Sequence, residues 1–201
     1  MNLSEPRGIL MPGSNHKNFE QEHEFMITES SFFKLIGYAT QDSQLSASPI
    51  HGDKHWRAVS LQGVWLAKKL QMSQEARLIA LLFGLFHDCR RENEDYDPLH
   101  GQRGASVLAS VEDFVVSPEI MNKVVSACEL HHHQKNTDDV YLGLCWDADR
   151  SLLGRVGMVP SQAYFSVARN DTFDDFVSNA QQYWHDAPSW HDLYQYYKSD
   201  I

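Results

Sequence analysis

Six histidine and aspartate side chains stand in segments whose apolar spacing predicts buried helix faces. They are His55, His87, Asp88, His100, His131 and Asp149. A buried carboxylate is costly unless it is paired or bound to a cation. Imidazole nitrogens together with carboxylate oxygens suit a divalent transition metal, or magnesium where water supplies most ligands. The sequence therefore predicts a mixed nitrogen and oxygen metal site in the core.

The spacing of apolar residues places these side chains inward. Residues three or four apart share one face of a helix, and His87 follows Phe83 by four positions. Asp149 similarly follows Cys145. Asp147, two residues earlier, projects about 200° away from Asp149. We therefore expect Asp149 to be the buried acid, with a raised pKa when no cation is bound, and Asp147→Asn to have little effect.

A run of three histidines ends the fourth predicted core helix. The stripe that contains Val124 and Cys128 continues at both His131 and His132, so periodicity leaves open which of the two faces the site. His133 points about 100° further round the helix and is expected to be exposed.

The elements that must position these side chains are helices, and the predicted fold class is all-α. No set of strands with period-two alternation is present. The core helices are predicted at about 53–70, 73–86, 100–115, 118–132 and 139–153, with N-caps at Ser73, Ser117, Ser161, Asp171 and Ser189. One or two helices are expected within 19–40. We expect an N-terminal arm and helical extension over 1–50, a metal-binding core over 51–160, and C-terminal helices over 161–201 that pack on the same domain.

Composition narrows the class of protein. The 201 residues include 17 Lys and Arg against 27 Asp and Glu, a formal charge of −10, which disfavours an extended nucleic-acid surface. No secretory signal or membrane span is recognisable, and three cysteines do not suggest a disulfide framework. We expect a cytoplasmic protein, with homo-oligomerisation left open.

The order and context of these residues resemble a known family. His55 lies in HWRAV, the pair His87 and Asp88 ends LLFGLFHD, and Asp149 lies in WDADR. These segments resemble the H…HD…D motif of the HD superfamily of metal-dependent phosphohydrolases, and DPLHGQRGA suggests a small bacterial branch of it. The similarity covers about residues 51–160.

The resemblance implies a ligand set and an activity. His55, His87, Asp88 and Asp149 would hold one metal, and His100 and His131 would add a second in branches that bind two, with Asp88 bridging them. The expected reaction is hydrolysis of a small phosphate ester, with a nucleotide as one candidate. Asp88 would orient the water. The metal, one ion or two, stays open among Mn, Fe, Ni, Co, Zn and Mg.

Arginines near the motif are candidates for binding an anionic substrate. Many nucleotidase members carry an acid at the position of Arg91, so Arg91 is a candidate phosphate ligand here, as is Arg103. The alternative for both is a surface salt bridge, and Arg150 is expected to be structural. Two other functions remain open on the same fold: a di-iron oxygenase and a non-catalytic ligand-binding or regulatory module.

Overall fold

The structure, a computed structural model, describes residues 27–111 and 116–199. These ranges contain eight α-helices and two short 3₁₀ turns, Leu153–Val156 and Gln162–Tyr164, and no strand. The helices are α1 (Glu29–Thr40), α2 (Asp53–Lys69), α3 (Gln74–Phe86), α4 (His100–Ala109), α5 (Pro118–Leu130), α6 (Val140–Ser151), α7 (Asp171–Tyr183) and α8 (Trp190–Lys198). The all-α prediction is confirmed for the described part of the chain.

Most helices begin where the sequence predicts. The Ser73 and Ser117 hydroxyls accept hydrogen bonds from backbone N–H groups in the first turns of α3 and α5, and Ser189 does the same for α8. Asp171 is instead the first helical residue of α7, and Asn170 occupies the cap position.

Two predicted helices extend further than the helices in the structure. Helix α4 stops at Ala109, well before the predicted residue 115, and residues 112–115 lie outside the described ranges. Helix α5 ends at Leu130, so His131 is the residue that follows the helix. Of the range 19–40, in which one or two helices are expected, residues 19–26 lie outside the described residues and α1 covers 29–40.

The core is built on the crossing of α2 and α3. Helix α3 is buried on all sides, as its continuous apolar sequence predicts. The two helices approach closely because small residues face each other: a Cβ added at Gly63 would lie 2.7 Å from the Cβ of Ala80. A Cβ at Gly84 would meet Ser60 at 2.2 Å. This close crossing brings the start of α2 beside the end of α3.

Two glycines set the position of α4. A Cβ on Gly104 would lie 2.1 Å from the carbonyl oxygen of Phe86, and one on Gly101 would lie 2.2 Å from that of Cys128. Helix α4 therefore lies directly against the ends of α3 and α5. This packing places His100 beside those two helix ends.

The C-terminal helices pack on the same body as the core. Arg57 on α2 donates hydrogen bonds to the carbonyl oxygens of Ala187 and Pro188, just before α8. The ring of Tyr194 on α8 stacks on Phe32 of α1, with centroids 5.5 Å apart. None of the helices in the described ranges combines the length and apolar character that crossing a bilayer would need.

Asp147 has a structural role that the sequence analysis missed. Its side chain is fully buried, and its carboxylate accepts hydrogen bonds from the backbone N–H groups of Ser166, Val167 and Ala168, each at 2.8 Å. The expectation that Asp149 is the buried acid of the pair is therefore wrong. Asp147 instead fastens the segment before α7 to α6.

We predict that Asp147→Asn lowers the free energy of unfolding by about 1–3 kcal/mol, because the amide NH₂ would face backbone donors in place of a charged acceptor. Urea unfolding followed by circular dichroism measures this change. Asp138→Asn, at an exposed position, is the control and should leave stability unchanged. Equal stability of the two variants would contradict the role assigned to Asp147.

Candidate metal centre

The six predicted ligands converge at one place in the core. They form two groups: His55, His87 and Asp149 in the first, and Asp88, His100 and His131 in the second. The nitrogen and oxygen atoms within each group lie within 4.8 Å of one another. Five different parts of the fold supply them: the start of α2, the two residues after α3, the start of α4, the residue after α5, and the last turn of α6.

Distances in the first group match those expected around a common ion. His55 Nε2 lies 3.2 Å from His87 Nε2 and 3.2 Å from Asp149 Oδ1, and His87 Nε2 lies 4.0 Å from that same oxygen. Ligands about 2.1 Å from one ion stand roughly 3–4 Å apart. The three donor atoms can therefore contact a single cation.

The second group is equally compact. His100 Nε2 lies 2.8 Å from His131 Nε2 and 3.2 Å from Asp88 Oδ1. The other oxygen of Asp88, Oδ2, lies 3.6 Å from His87 Nε2 and 3.7 Å from His55 Nε2. One carboxylate oxygen of Asp88 thus faces each group, which is the arrangement that a bridging ligand requires.

Backbone hydrogen bonds fix the tautomers of three imidazoles. His87 Nδ1 lies 3.0 Å from the carbonyl oxygen of Gly84, and His131 Nδ1 lies 2.7 Å from that of Cys128. His100 Nδ1 is hydrogen-bonded to the Asp97 carbonyl oxygen. A carbonyl oxygen can only accept, so each Nδ1 carries the proton and each Nε2 presents a lone pair to the centre.

This arrangement is unfavourable without a cation. The Nε2 atoms of His100 and His131 face each other with lone pairs at hydrogen-bond distance, and neither has a proton to donate. His55 Nδ1 and Asp149 Oδ1 are also buried atoms that lack a hydrogen-bond partner of good geometry. Unsatisfied buried polar atoms are rare unless an ion or water completes them. The donor set therefore fits one or two divalent cations.

The pKa values of His55, His131 and Asp149 favour the protonation states that bind metals. Burial lowers the pKa of His131 to about 3, and burial together with the charge of Arg155 lowers that of His55 to about 3. Burial alone would raise the pKa of Asp149, but the hydrogen-bonding contact with His55 and the charge of Arg155 hold it well below its ordinary value. The expected rise in the pKa of Asp149 is therefore wrong. Neutral imidazoles and ionised carboxylates are the forms that bind metals.

Arginines flank the two groups. Arg91 Nη1 lies 3.6 Å from Asp88 Oδ1, beside the second group. Arg155 Nη2 lies 3.6 Å from Asp149 Oδ1, beside the first. Arg155 was not selected from the sequence, because it follows α6 in the 3₁₀ turn and no helical periodicity connects it with Asp149.

The other two arginines make structural contacts. Arg103 donates hydrogen bonds to the carbonyl oxygen of Arg90 and to the carboxylate of Asp97, which favours the salt-bridge alternative over the predicted phosphate contact. Arg150 donates to the backbone carbonyls of residues 131, 134, 135 and 164. It therefore braces the end of α5, in keeping with the structural role expected for it.

Of the three consecutive histidines, only His131 joins a donor group. His132 and His133 are exposed, although the His132 ring lies 5.4 Å from that of His100. Sequence reasoning also missed His51, which is buried and lies 6.3 Å from His55 between ring centroids. Its Nδ1 lies 2.5 Å from a carboxylate oxygen of Glu94.

Comparisons with protein-family models, with curated proteins and with solved structures found no match to this chain.

We predict that the protein binds two divalent ions per chain. We expect His87→Ala to weaken the binding of both ions. His87 Nε2 lies in the first group and also 3.6 Å from the bridging carboxylate of Asp88. The metal affinity should fall by more than roughly 10–100-fold, which is the loss typical when a residue that only hydrogen-bonds to a metal ligand is removed. Elemental analysis after dialysis against a defined metal measures the stoichiometry, and circular dichroism reports on the fold.

The matched control for this variant is His133→Ala, which removes an exposed imidazole close in sequence to the centre. It should retain the parent metal content. Full metal content in His87→Ala would refute the assignment of the first group, whereas one ion in the parent would refute the second cation.

Without metal, stability should fall as pH decreases from 7 towards 4. The pKa values of His55 and His131 are lowered to about 3 by burial, while in the unfolded chain each is about 6.5. The unfolded state therefore binds more protons, and each histidine contributes up to about 1.4 kcal/mol of lost stability per pH unit below 6.5. Urea unfolding of chelator-treated protein across this range measures the slope, which His131→Gln should reduce. A parent profile that is flat between pH 7 and 5 would contradict this prediction.

Proposed function

We propose that the protein is a metal-dependent phosphohydrolase that acts on a small phosphate ester. The observation that carries the proposal is the pair of donor groups that share Asp88, with an arginine at each end. Four neutral imidazoles and two carboxylates contribute a charge of about −2, which two divalent ions would exceed. The loaded centre with Arg91 and Arg155 would be strongly positive and would attract an anion.

The residues of the chain suit this chemistry. A bound divalent cation would polarise a phosphoryl oxygen and lower the pKa of its water. Backbone carbonyl oxygens hold two nitrogens of Arg91 and two of Arg155. The nitrogens that face the centre, Arg91 Nη1 and Arg155 Nη2, would donate to phosphate oxygens. Asp88 remains ionised and is the residue proposed to orient the attacking water. In the overall reaction the water oxygen bonds to phosphorus, the ester P–O bond breaks, and the alcohol leaves with a proton.

The sequence motifs lend separate support to the proposal. The H…HD…D order that resembles the HD superfamily uses the residues that converge in space, and the additional histidines of its two-metal branches correspond to His100 and His131. Membership of that family is part of the proposal.

A di-iron oxygenase is a second candidate, favoured by the nitrogen-rich donor set. Imidazole and carboxylate ligands also suit iron, and the same two groups would hold an iron pair. A coloured, iron-containing preparation that consumes oxygen would favour this function over hydrolysis.

The test is phosphate release from a panel of phosphate monoesters by protein loaded in turn with Mn, Fe, Co, Ni, Zn and Mg. We expect activity with at least one metal, loss of activity on chelation, and a decrease of at least about 100-fold in kcat for Asp88→Asn. Arg103→Gln, which removes a guanidinium engaged in structural contacts, should retain most of the parent kcat. Absence of phosphate release with every metal and ester would refute the proposal.

A further inference from the structure

A cavity of about 250 Å³ lies between the end of α6, the 3₁₀ turn and α7. Its wall consists of Ser151, Leu152, Gly154, Arg155, Ala180, Gln181 and Trp184. A water molecule takes about 30 Å³ of liquid volume, so this space far exceeds what one phosphate needs. Gly154 and Gln181 are exposed, which leaves the cavity accessible from solvent.

Arg155 connects this cavity with the metal centre. Its Nε and Nη1 donate hydrogen bonds to the carbonyl oxygens of Ile50 and Leu152, at 3.1 and 3.2 Å. These bonds hold the guanidinium as a fixed wall of the cavity. The remaining nitrogen, Nη2, points towards the centre and lies 3.6 Å from Asp149 Oδ1. The Arg155 guanidinium therefore borders both the cavity and the first donor group, so an anion bound by Arg155 would lie next to both.

The cavity wall combines apolar and polar chemistry in a way that suits a flat ring. Trp184 supplies an indole, which stacks on planar aromatic groups. Leu152 and Ala180 add apolar surface, and Gln181 adds an exposed amide. The buried Ser151 hydroxyl donates to the Ala148 carbonyl oxygen and keeps its capacity to accept a hydrogen bond. Pockets for small organic molecules have this mixture of apolar walls with a few polar groups.

We propose that this cavity binds the organic part of the substrate, a planar aromatic group carried on the phosphate that Arg155 holds at the metal centre. The inference rests on the proposed phosphohydrolase function and names the substrate class. Three of the lining residues, Ala180, Gln181 and Trp184, belong to the C-terminal region beyond residues 51–160, so the segment outside the motif-bearing core sets specificity.

Gly154 lines the cavity and can carry a larger side chain without a clash at its Cβ. A Cβ added there meets no atom within 4 Å, so Gly154→Leu places a side chain in open space beside the cavity. Gly37 on α1 offers the matched control, because a Cβ added there also meets nothing within 4 Å. Whereas Gly154→Leu adds a side chain, Trp184→Ala removes the indole ring and with it the stacking surface.

The experiment compares two phosphonates, whose P–C bonds are not hydrolysed, by calorimetry on the metal-loaded protein. The parent should bind 1-naphthylmethylphosphonate about tenfold or more tightly than methylphosphonate, as expected for one stacked ring. Gly154→Leu and Trp184→Ala should each lose this preference while they keep the parent affinity for methylphosphonate and the parent metal content. Gly37→Leu should keep the preference.

The outcomes separate this inference from the proposed function. A preference that survives in Gly154→Leu would overturn the cavity assignment even if the protein hydrolyses phosphate esters. Loss of the preference in both cavity variants, in a protein that releases no phosphate from any ester, would support the cavity and refute hydrolysis. For an active protein, the cavity variants should raise KM for 1-naphthyl phosphate about tenfold and leave kcat nearly unchanged.

Discussion

The mutual repulsion of lone pairs at the centre of the helical body is the constraint on which the rest of the structure depends. The Nε2 atoms of His87, His100 and His131 cannot donate to one another, because each Nδ1 is committed to a backbone carbonyl. Packing forces hold these atoms 2.8–4 Å from other acceptors. A bound cation would convert this unfavourable arrangement into a set of ligand bonds, and metal binding would then be coupled to folding of the core.

The helix packing follows from the need to bring several chain segments to this point. Close contacts at Gly63 and Gly84 let α2 and α3 cross without intervening side chains, and Gly101 and Gly104 do the same for α4. A larger residue at any of these positions would separate the helices. The donor atoms could then no longer share one ion, so the glycines act as positioning residues for the centre.

The two acids of α6, Asp147 and Asp149, have different roles. Asp149 faces His55 and Arg155, whereas Asp147 faces the backbone of residues 166–168. The C-terminal segment is thereby fixed to the helix that carries a metal ligand. This coupling gives residues outside the motif-bearing core a defined place beside the centre, where the proposed substrate cavity forms.

The sequence by itself determined the helical fold class, most N-caps and five of the residues that meet at the centre, and it left His131 and His132 as alternatives for the sixth. These features depend on local hydrogen bonds and on a 3.6-residue period, both of which can be read from neighbouring residues. The burial of Asp147, the choice of His131 over His132 and the position of Arg155 depended on the tertiary structure. The role of Asp147 depends on a backbone donor twenty residues away in the chain. His131 reaches the centre because α5 ends at Leu130, and Arg155 does so because a 3₁₀ turn follows α6. Periodicity carries no information about such long-range contacts, so only the folded chain could reveal them.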